Sequence, residues 1–233
     1  MQVVILCGGK GIRLWPDSVT VPKPLIRIGG APVLEHIMRY FAHYGHTDFV
    51  LCLGYKGEKI REAFQNGLPW NIGFVDTGEG SNKGERVWRV RDRIHGPDFF
   101  LAYGDDLSDV DLAKLLAFHR SHQGLATLTT VNPTCQFGII ETQGNQVSRF
   151  VEKPRLNRWI NGGFFVLSRR IFDHMTPGED LEGVLLPRLA GQGLVYAYKH
   201  EGFWACMNTH QDTRLLNELW EKGEAEWAKW NHD

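Results

Sequence analysis

The sequence carries no excess of charge of either sign. It has 26 Lys and Arg residues against 27 Asp and Glu residues, which gives a net charge of −1 over 233 residues. A protein that coats nucleic acid needs a surplus of cations to neutralise phosphates. The charge balance therefore argues against such a protein, and we expect no nucleic-acid partner.

Cysteine is scarce, and the four cysteines are far apart. They are Cys7, Cys52, Cys135 and Cys206, with no C-x-x-C pair among them, so a zinc site of the usual spacing is not expected. Three of them lie in apolar or strand-like stretches, which is typical of free buried thiols. The pattern favours a reducing compartment, and we expect a cytoplasmic protein.

Long apolar runs and linkers are also missing. Residues Met1–Leu6 lack the basic start of a signal peptide, and no run reaches the roughly 18 apolar residues of a membrane span. We expect no membrane association. Without repeats or a Pro/Ser-rich linker, and with 42% hydrophobic and 23% charged residues, the chain is predicted to form a single globular domain over residues 1–233.

Apolar periodicity in the first 130 residues alternates between strand and helix. Strands are predicted at Gln2–Cys7, Asp48–Leu53, Asn71–Val75, Asp98–Tyr103 and Leu125–Val131, and helices from Pro32, over Glu58–Phe64, over Gly84–Ile94 and from Ser108. Ser108 stands three residues before Asp111, which is a helix-capping pattern. The alternation favours an α/β fold with a Rossmann-like, doubly wound, mostly parallel sheet.

The remaining residues show a different pattern of predicted strands and helices. Gln143–Asn145, between two apolar stretches, is a hairpin signal. Further elements are predicted as a strand over Trp159–Leu167, a helix over Leu181–Leu189, a strand over Leu194–His200 and one or two helices within Asp212–Trp230. We therefore expect a small mixed β/α portion at the C-terminal end.

A glycine-rich segment follows the first predicted strand. Gly8, Gly9 and Gly11 free a run of backbone N–H groups to face an anion, and Lys10 and Arg13 add positive charge. The spacing matches neither the Walker loop nor the dinucleotide fingerprint. A dehydrogenase is further disfavoured because no acidic residue ends the second predicted strand.

A lysine between two prolines comes ten residues later. Pro22 and Pro24 fix the backbone on either side of Lys23, which would hold its ammonium group in a fixed place. The predicted strand ends at Tyr103, and Asp105 and Asp106 follow shortly after it. Two adjacent carboxylates at the end of a strand suit a hard cation.

These motifs together resemble those of a known family. The pattern G-G-x-G-x-R-L from Gly8, followed by P-K-P-L from Pro22, is similar to the signature of the sugar-nucleotide pyrophosphorylases, which are nucleotidyltransferases. The resemblance continues through Tyr103–Asp105, Phe137–Gly138, Glu152–Pro154 and Asn161–Phe164. Through Val75–Gly78, Gly202–Trp204 and Leu219–Gly223, the chain most resembles the glucose-1-phosphate cytidylyltransferases within that group.

The resemblance implies a fold and a reaction. The fold would be the glycosyltransferase-A-like nucleotidyltransferase fold, with a nucleotide-binding half (1–132) and an acceptor-binding half with C-terminal helices (133–233). The enzyme would transfer CMP from CTP to a phosphorylated acceptor such as glucose 1-phosphate and release pyrophosphate, as in nucleotide-sugar and polysaccharide biosynthesis. It would use Mg²⁺, act by in-line attack at the α-phosphorus, and could form a homo-oligomer.

The resemblance also implies roles for particular residues. Catalysis falls to Arg13 on the β,γ-phosphates, Lys23 between the reacting phosphates and Asp105 on the metal. Nucleotide-binding residues are Leu6, Gly8, Gly9, Gly11, Ile12, Arg13, Lys23, Thr77, Arg86 and Gly104. Acceptor-binding residues are Gly138, Glu152, Lys153, Asn161, Gly162 and Gly163. Metal ligands are Asp105 and Asn208.

The chain departs from the family pattern at several positions. Ile12 replaces a hydroxyl residue, the Gln65–Pro69 segment is shortened, and Asn208 replaces a metal-binding aspartate, which keeps an oxygen but loses a charge. Asp212 is a candidate to compensate. An acceptor other than glucose 1-phosphate stays open, either another sugar 1-phosphate or a non-sugar phosphate, phosphonate or phosphoramidate. A non-catalytic, nucleotide-binding regulatory protein is the alternative that Asn208 suggests.

Overall fold

The central feature of the computed structural model is a seven-stranded sheet. The structure describes residues 1–11, 21–135 and 137–231. The strands are β1 Val3–Leu6, β2 Arg27–Ile28, β3 Ala31–Pro32, β4 Asp48–Leu53, β5 Asn71–Asp76, β6 Asp98–Tyr103, β7 Asp106–Ser108, β8 Ala126–Val131, β9 Ile139–Gln143, β10 Gln146–Val151, β11 Ile160–Ser168, β12 Val195–His200 and β13 Trp204–Cys206. The α-helices are α1 Val33–His43, α2 Gly57–Phe64, α3 Lys83–Arg89, α4 Leu112–Arg120, α5 Leu186–Gly191 and α6 His210–Glu221.

The sheet has the order β12-β8-β11-β6-β1-β4-β5. Neighbouring strands are parallel except at β11, which runs antiparallel to both β6 and β8. Strands from before and after residue 132 therefore share one sheet. The predicted α/β class with a mostly parallel, doubly wound sheet is confirmed, while the division into nucleotide and acceptor halves stays a prediction.

Strand β1 is an interior strand of the sheet and is apolar on both faces. Val3 and Ile5 pack into one hydrophobic cluster and Val4 packs into the other, with all three side chains fully buried. A parallel strand covered by helices on both sides has this continuous apolar character. The chain builds β4 and β5 on one side of β1 and then returns to add β6 on the other. Ligands bind at such a reversal of strand order, beyond the carboxyl ends of the strands.

One short strand pair was not anticipated by the sequence, and it corrects a prediction. The prediction that Ser108 begins a helix is wrong, because Ser108 ends β7 and pairs with Trp204 of β13. Its hydroxyl donates to the Phe203 carbonyl oxygen at 2.9 Å. Asp111 caps α4 instead, since its carboxylate accepts from the Lys114 backbone N–H at 2.9 Å.

The predicted hairpin forms a separate two-stranded sheet of β9 and β10. Gly144 turns the chain with a φ of +58°, a conformation that glycine adopts without a steric penalty. Phe137 and Phe150 are 75% and 60% exposed, so this hairpin contributes little to the core.

The tryptophans near the C-terminus pack against the rest of the chain. Trp227 is fully buried and donates to His36 Nδ1 at 3.2 Å, while Trp220 and Trp230 pack at the edge of the same cluster. These contacts agree with a packing role for the tail, and a homo-oligomer stays a prediction. No helix within the described residues is long and apolar enough to cross a membrane.

Candidate active site

A cavity of about 600 Å³ lies beyond the carboxyl ends of β1 and β6. Eight of the predicted site residues line it: Leu6, Gly8, Gly9, Gly11, Lys23, Arg86, Asp105 and Asn208. They come from the turns after β1 and β6, the proline-flanked turn, helix α3 and the segment after β13. The fold thus brings together residues that are up to two hundred positions apart.

Two predicted site residues lie outside the described residues: Arg13, predicted to act in catalysis, and Ile12, predicted to contact the nucleotide. Both predictions stand as they were made from the sequence.

Glycine is required where the loop after β1 meets its neighbours. A Cβ on Gly8 would overlap the Arg86 guanidinium, and Gly11 has a φ of +60°, in the left-handed region. Cys7 precedes these glycines, and its burial raises the pKa of the thiol to about 12. At neutral pH Cys7 is therefore a protonated, buried thiol and has little nucleophilic character.

The Arg86 side chain supports the glycine loop through hydrogen bonds. Its side chain is only 4% exposed, and its guanidinium donates to the carbonyl oxygens of Leu53 at 2.9 Å and Gly8 at 3.0 Å. It also donates to Thr77 Oγ1 at 2.7 Å and to the Glu79 carbonyl oxygen at 3.3 Å. Thr77 is fully buried and does not line the cavity. The direct CTP contacts expected of Arg86 and Thr77 stay predictions, and their observed bonds hold the loop in shape.

Arg86→Met should lower the free energy of unfolding by about 3 kcal/mol, because several buried acceptors lose a charged donor. Arg89→Met is the matched control: Arg89 is in the same helix, its side chain is 47% exposed, and it pairs with Glu85 at 2.6 Å and makes one backbone contact, to the Thr77 carbonyl oxygen at 2.9 Å. That change should cost no more than about 1 kcal/mol. Urea unfolding of both variants measures the difference, and equal losses would show that Arg86 does not support the loop.

Lys23 lies at the centre of the polar part of the cavity. Its ammonium group donates to Asp105 Oδ2 and to Asn208 Oδ1, the latter at 2.9 Å. Its side chain is 12% exposed. The turn Lys23–Leu25 begins after Pro22, whose φ is −64°, and Pro24 is buried, so the backbone under the lysine is held on both sides.

The β7–β13 pair brings Asp106 and Cys206 to the same cavity. They are directly opposite each other in this antiparallel pair, and both line the cavity beside Asp105. Burial raises the pKa of Asp106 well above its usual range, and the nearby Asp105 raises it further. Burial also raises the pKa of the Cys206 thiol. The sequence analysis noted Asp106 only as a neighbour of Asp105 and gave Cys206 no role.

A second polar network at the cavity was missed from the sequence. Glu182 accepts from the Tyr103 hydroxyl at 2.5 Å, from Asn161 Nδ2 at 3.1 Å and from Lys83 Nζ at 2.5 Å. Lys83 also lies 4.2 Å from the centre of the Tyr103 ring. Burial alone would raise the pKa of Glu182, but its hydrogen bonds from Lys83 and Tyr103 outweigh burial and lower it. Lys83 and Tyr103 line the cavity, so this network links the cavity to the predicted acceptor residue Asn161.

The predicted acceptor residues form two groups, and none of them is among the residues that line the cavity. Gly138 lies beside Glu152, whose Oε2 would be 3.0 Å from a Cβ at that glycine. Lys153 has a φ of +46°, a left-handed conformation that is costly for a residue with a side chain. Such strain often marks a functional position, which suits the prediction for Lys153.

In the second group, Asn161 Oδ1 accepts from the Gly163 N–H at 3.0 Å, and the Gly162 carbonyl oxygen accepts from Trp204 Nε1 at 2.9 Å. Gly104 is a neighbour of the cavity residues, donating its N–H to the Leu6 carbonyl oxygen at 3.1 Å. Roles in binding for Gly104 and for the acceptor residues stay predictions.

Asp212 caps a helix. Its carboxylate accepts from the backbone N–H groups of Asn208 at 3.0 Å and Thr209 at 2.8 Å, and the Thr209 hydroxyl caps the Asp212 N–H in return. This reciprocal capping box begins α6 and fixes the backbone at Asn208. The helix start thus engages the carboxylate through Oδ2, and a compensating role for Asp212 as a metal ligand stays a prediction.

Asp212→Ala should lower the free energy of unfolding by about 1 kcal/mol in metal-free protein, because the capping box is lost. Denaturant unfolding in the presence of a chelator measures it. If stability is unchanged there and only metal affinity falls, Asp212 acts as a ligand and not as a cap.

Comparison with known proteins supplies the family. The model of a protein family described as Nucleotidyl transferase matches residues 2–222. The chain belongs to the nucleotidyl transferase family. The resemblance noted in the sequence is thereby confirmed, and so is the expectation of an enzyme that transfers nucleotidyl groups.

Relatives of this nucleotidyltransferase are similar over their whole length. The chain is 39% identical to a glucose-1-phosphate cytidylyltransferase of Salmonella typhi, covering 99% of this chain and 100% of that protein. It is 36% identical to a probable glucose-1-phosphate cytidylyltransferase of Bacillus subtilis, with the same coverage. Among solved structures, HddC from Yersinia pseudotuberculosis complexed with GMP-PN matches with a TM-score of 0.74 at 25% identity, covering 94% of this chain and 99% of that one.

Proposed function

We propose that this nucleotidyltransferase transfers CMP from CTP to a phosphorylated small-molecule acceptor, with a sugar 1-phosphate such as glucose 1-phosphate as the leading candidate. Pyrophosphate would be the second product. The observation that carries the proposal is the convergence of the glycine loop, Lys23, Asp105 and Asn208 on one cavity. The full-length similarity to glucose-1-phosphate cytidylyltransferases supports CTP and a sugar phosphate as substrates.

The cavity suits a triphosphate at its glycine loop. Backbone N–H groups in a glycine-rich turn bind phosphate oxygens at short range. Lys10 lies on this loop and is held by Glu79 at 2.9 Å, with both side chains more than half exposed. A phosphate chain that enters here can therefore compete with Glu79 for the Lys10 ammonium group. Arg13 would add a further cation on the β,γ-phosphates.

The residues also fit a divalent cation. Asp105 and Asn208 both contact the Lys23 ammonium group, so their oxygen atoms lie close together, and carboxylate and amide oxygens are ligands that Mg²⁺ accepts. We propose that these two residues, with phosphate oxygens of the nucleotide, hold Mg²⁺. When bound, Mg²⁺ supplies positive charge beside the reacting phosphate.

Lys23 would act on the reacting phosphates directly. Its backbone is held by two prolines, and its ammonium group, which contacts Asp105 and Asn208 in this structure, would turn to the phosphate oxygens once these two residues hold Mg²⁺. In the in-line reaction an acceptor phosphate oxygen attacks the α-phosphorus and the bond to the pyrophosphate breaks. Charge on the phosphoryl oxygens is then neutralised by Lys23, while the glycine loop orients the triphosphate.

Acceptor choice would fall to the Asn161–Gly163 segment and to Glu152 and Lys153. Asn161 is held by Glu182, so the Glu182 network would position the acceptor against the nucleotide cavity.

A substrate panel tests the proposal. The protein is incubated with Mg²⁺ and each of CTP, UTP, dTTP, ATP and GTP, in combination with sugar 1-phosphates and with non-sugar phosphates, phosphonates and phosphoramidates. We expect pyrophosphate and a CDP-linked product with CTP and at least one acceptor. CTP binding without turnover on any acceptor would favour the regulatory alternative, and preference for another nucleotide would overturn the choice of CTP.

A further inference from the structure

Two carboxylates and a thiol meet where β6 ends. Asp105, Asp106 and Cys206 each offer a ligand atom, and these atoms all lie within 4.8 Å of one another. The pairing of β7 with β13 places Cys206 directly opposite Asp106. The Met207 N–H donates to the Asp105 carbonyl oxygen at 2.9 Å, which fixes the two segments on both sides of the cluster.

Asp106 is the unusual member of this cluster. Its side chain is only 3% exposed, and its Oδ1 is buried without a hydrogen-bond partner among the described residues. Lys23 forms an ion pair with Asp105 and donates a hydrogen bond to Asn208. Within the described residues, Lys23 forms no ion pair with Asp106. A buried carboxylate oxygen without a partner is costly, and a bound ion is one of the explanations for such a group.

We propose that Asp105, Asp106 and Cys206 form a divalent-cation site in the nucleotide-free protein, selective for a cation that accepts sulfur, such as Zn²⁺ or Co²⁺, over Mg²⁺. A cation there would offset the charge of the buried Asp106 carboxylate, whose Oδ1 has no hydrogen-bond partner among the described residues. Mg²⁺ prefers oxygen ligands alone, whereas a cysteine sulfur favours the softer cations. Binding through sulfur releases the thiol proton to water.

This site differs in its ligands from the magnesium site of the proposed reaction. Only Asp105 belongs to both, and the new site needs no nucleotide phosphate. Its test is therefore made without nucleotide, and its failure would leave the proposed reaction untouched. Conversely, a protein that failed to transfer CMP would still be expected to bind the cation.

Cobalt provides a direct readout of sulfur ligation. The full-length protein is freed of metal with a chelator and titrated with Co²⁺, and the near-ultraviolet band from sulfur-to-cobalt charge transfer is recorded. We expect a saturable band with one Co²⁺ per chain. Zn²⁺ should abolish the band by displacement at low concentration, whereas Mg²⁺ should leave it in place at a large excess.

Three variants locate the site. Cys206→Ser should abolish the band. Asp106→Asn should keep the band but weaken Co²⁺ affinity by more than the roughly 10- to 100-fold that loss of an outer-shell partner costs. Cys135→Ser is the matched control and should change neither, because Cys135 lies away from the cluster. Cys206→Ala repeats the test if the serine variant does not fold, as judged by circular dichroism.

The outcomes are decisive in both directions. No band in the native chain, or a band that persists in Cys206→Ser, would overturn the proposal. Unchanged Co²⁺ affinity in Asp106→Asn would overturn the role of Asp106. Displacement of Co²⁺ by Mg²⁺ as readily as by Zn²⁺ would overturn the selectivity.

Discussion

Replacement of Lys23 by methionine should reduce kcat for CMP transfer by about 10³-fold, the upper end of what loss of one fixed donor to transition-state charge costs. The physical reason is position: the ammonium group is fixed by flanking prolines and shared between Asp105 and Asn208. Methionine keeps most of the length and packing of the side chain and removes only its charge. Steady-state assays of pyrophosphate release measure the effect.

Lys114→Met is the matched control for this change. Lys114 is in helix α4, its side chain is 75% exposed, and its only ion pair within the described part of the chain is with Asp111. We expect its kcat to equal that of the native chain. If Lys23→Met lost no more activity than Lys114→Met, Lys23 would have no part in the reaction.

Asp105→Asn should also remove most of the activity, by about 10²- to 10⁴-fold, because a carboxylate that holds the cation is worth several kcal/mol of transition-state stabilisation. The asparagine preserves the shape of the side chain. Nucleotide binding, measured by calorimetry with CTP in the presence of a chelator, should persist because the glycine loop is unchanged. This split between turnover and binding distinguishes an enzyme from a nucleotide-binding regulator.

Asp92→Asn serves as its control, since Asp92 is 80% exposed and remote from the cavity residues. Full activity in Asp105→Asn would show that the Asp105 carboxylate has no part in the reaction. If the variant lost both turnover and CTP binding in the presence of a chelator, the substitution would have disrupted the glycine loop. Circular dichroism and unfolding measurements would reveal such a disruption.

The local motifs of the candidate site could be predicted because each has a local cause. A buried strand followed by three closely spaced glycines, and a lysine between two prolines, carry their conformation in their own sequence. The strand–helix alternation likewise predicted the sheet class, because helices must cover both faces of a parallel sheet.

The remaining features depend on contacts between distant segments. Strands β7 and β13 have three residues each, too few for a periodic signal, yet they pair across about a hundred residues and bring Cys206 to Asp106. The same pairing explains why Ser108 ends a strand, although its spacing to Asp111 is that of a helix cap. Lys83 and Glu182 meet across a separation of 99 residues.

Arg86 shows a second limit of sequence reasoning. The resemblance to the family implied that Arg86 contacts the nucleotide. Its burial and its four acceptors can be seen only in the fold, and they give the side chain a supporting role that no spacing rule describes. Functional and structural arginines are alike in sequence because both use the same donors.

The fate of labelled phosphates shows whether CMP is transferred directly at the α-phosphorus. CTP labelled at the α-phosphorus is incubated with the protein, Mg²⁺ and glucose 1-phosphate, and the reaction is repeated with the label at the γ-phosphorus. We expect the α-label in a CDP-linked sugar and the γ-label in pyrophosphate. Release of the γ-label as inorganic phosphate without any CDP-linked product would contradict this expectation.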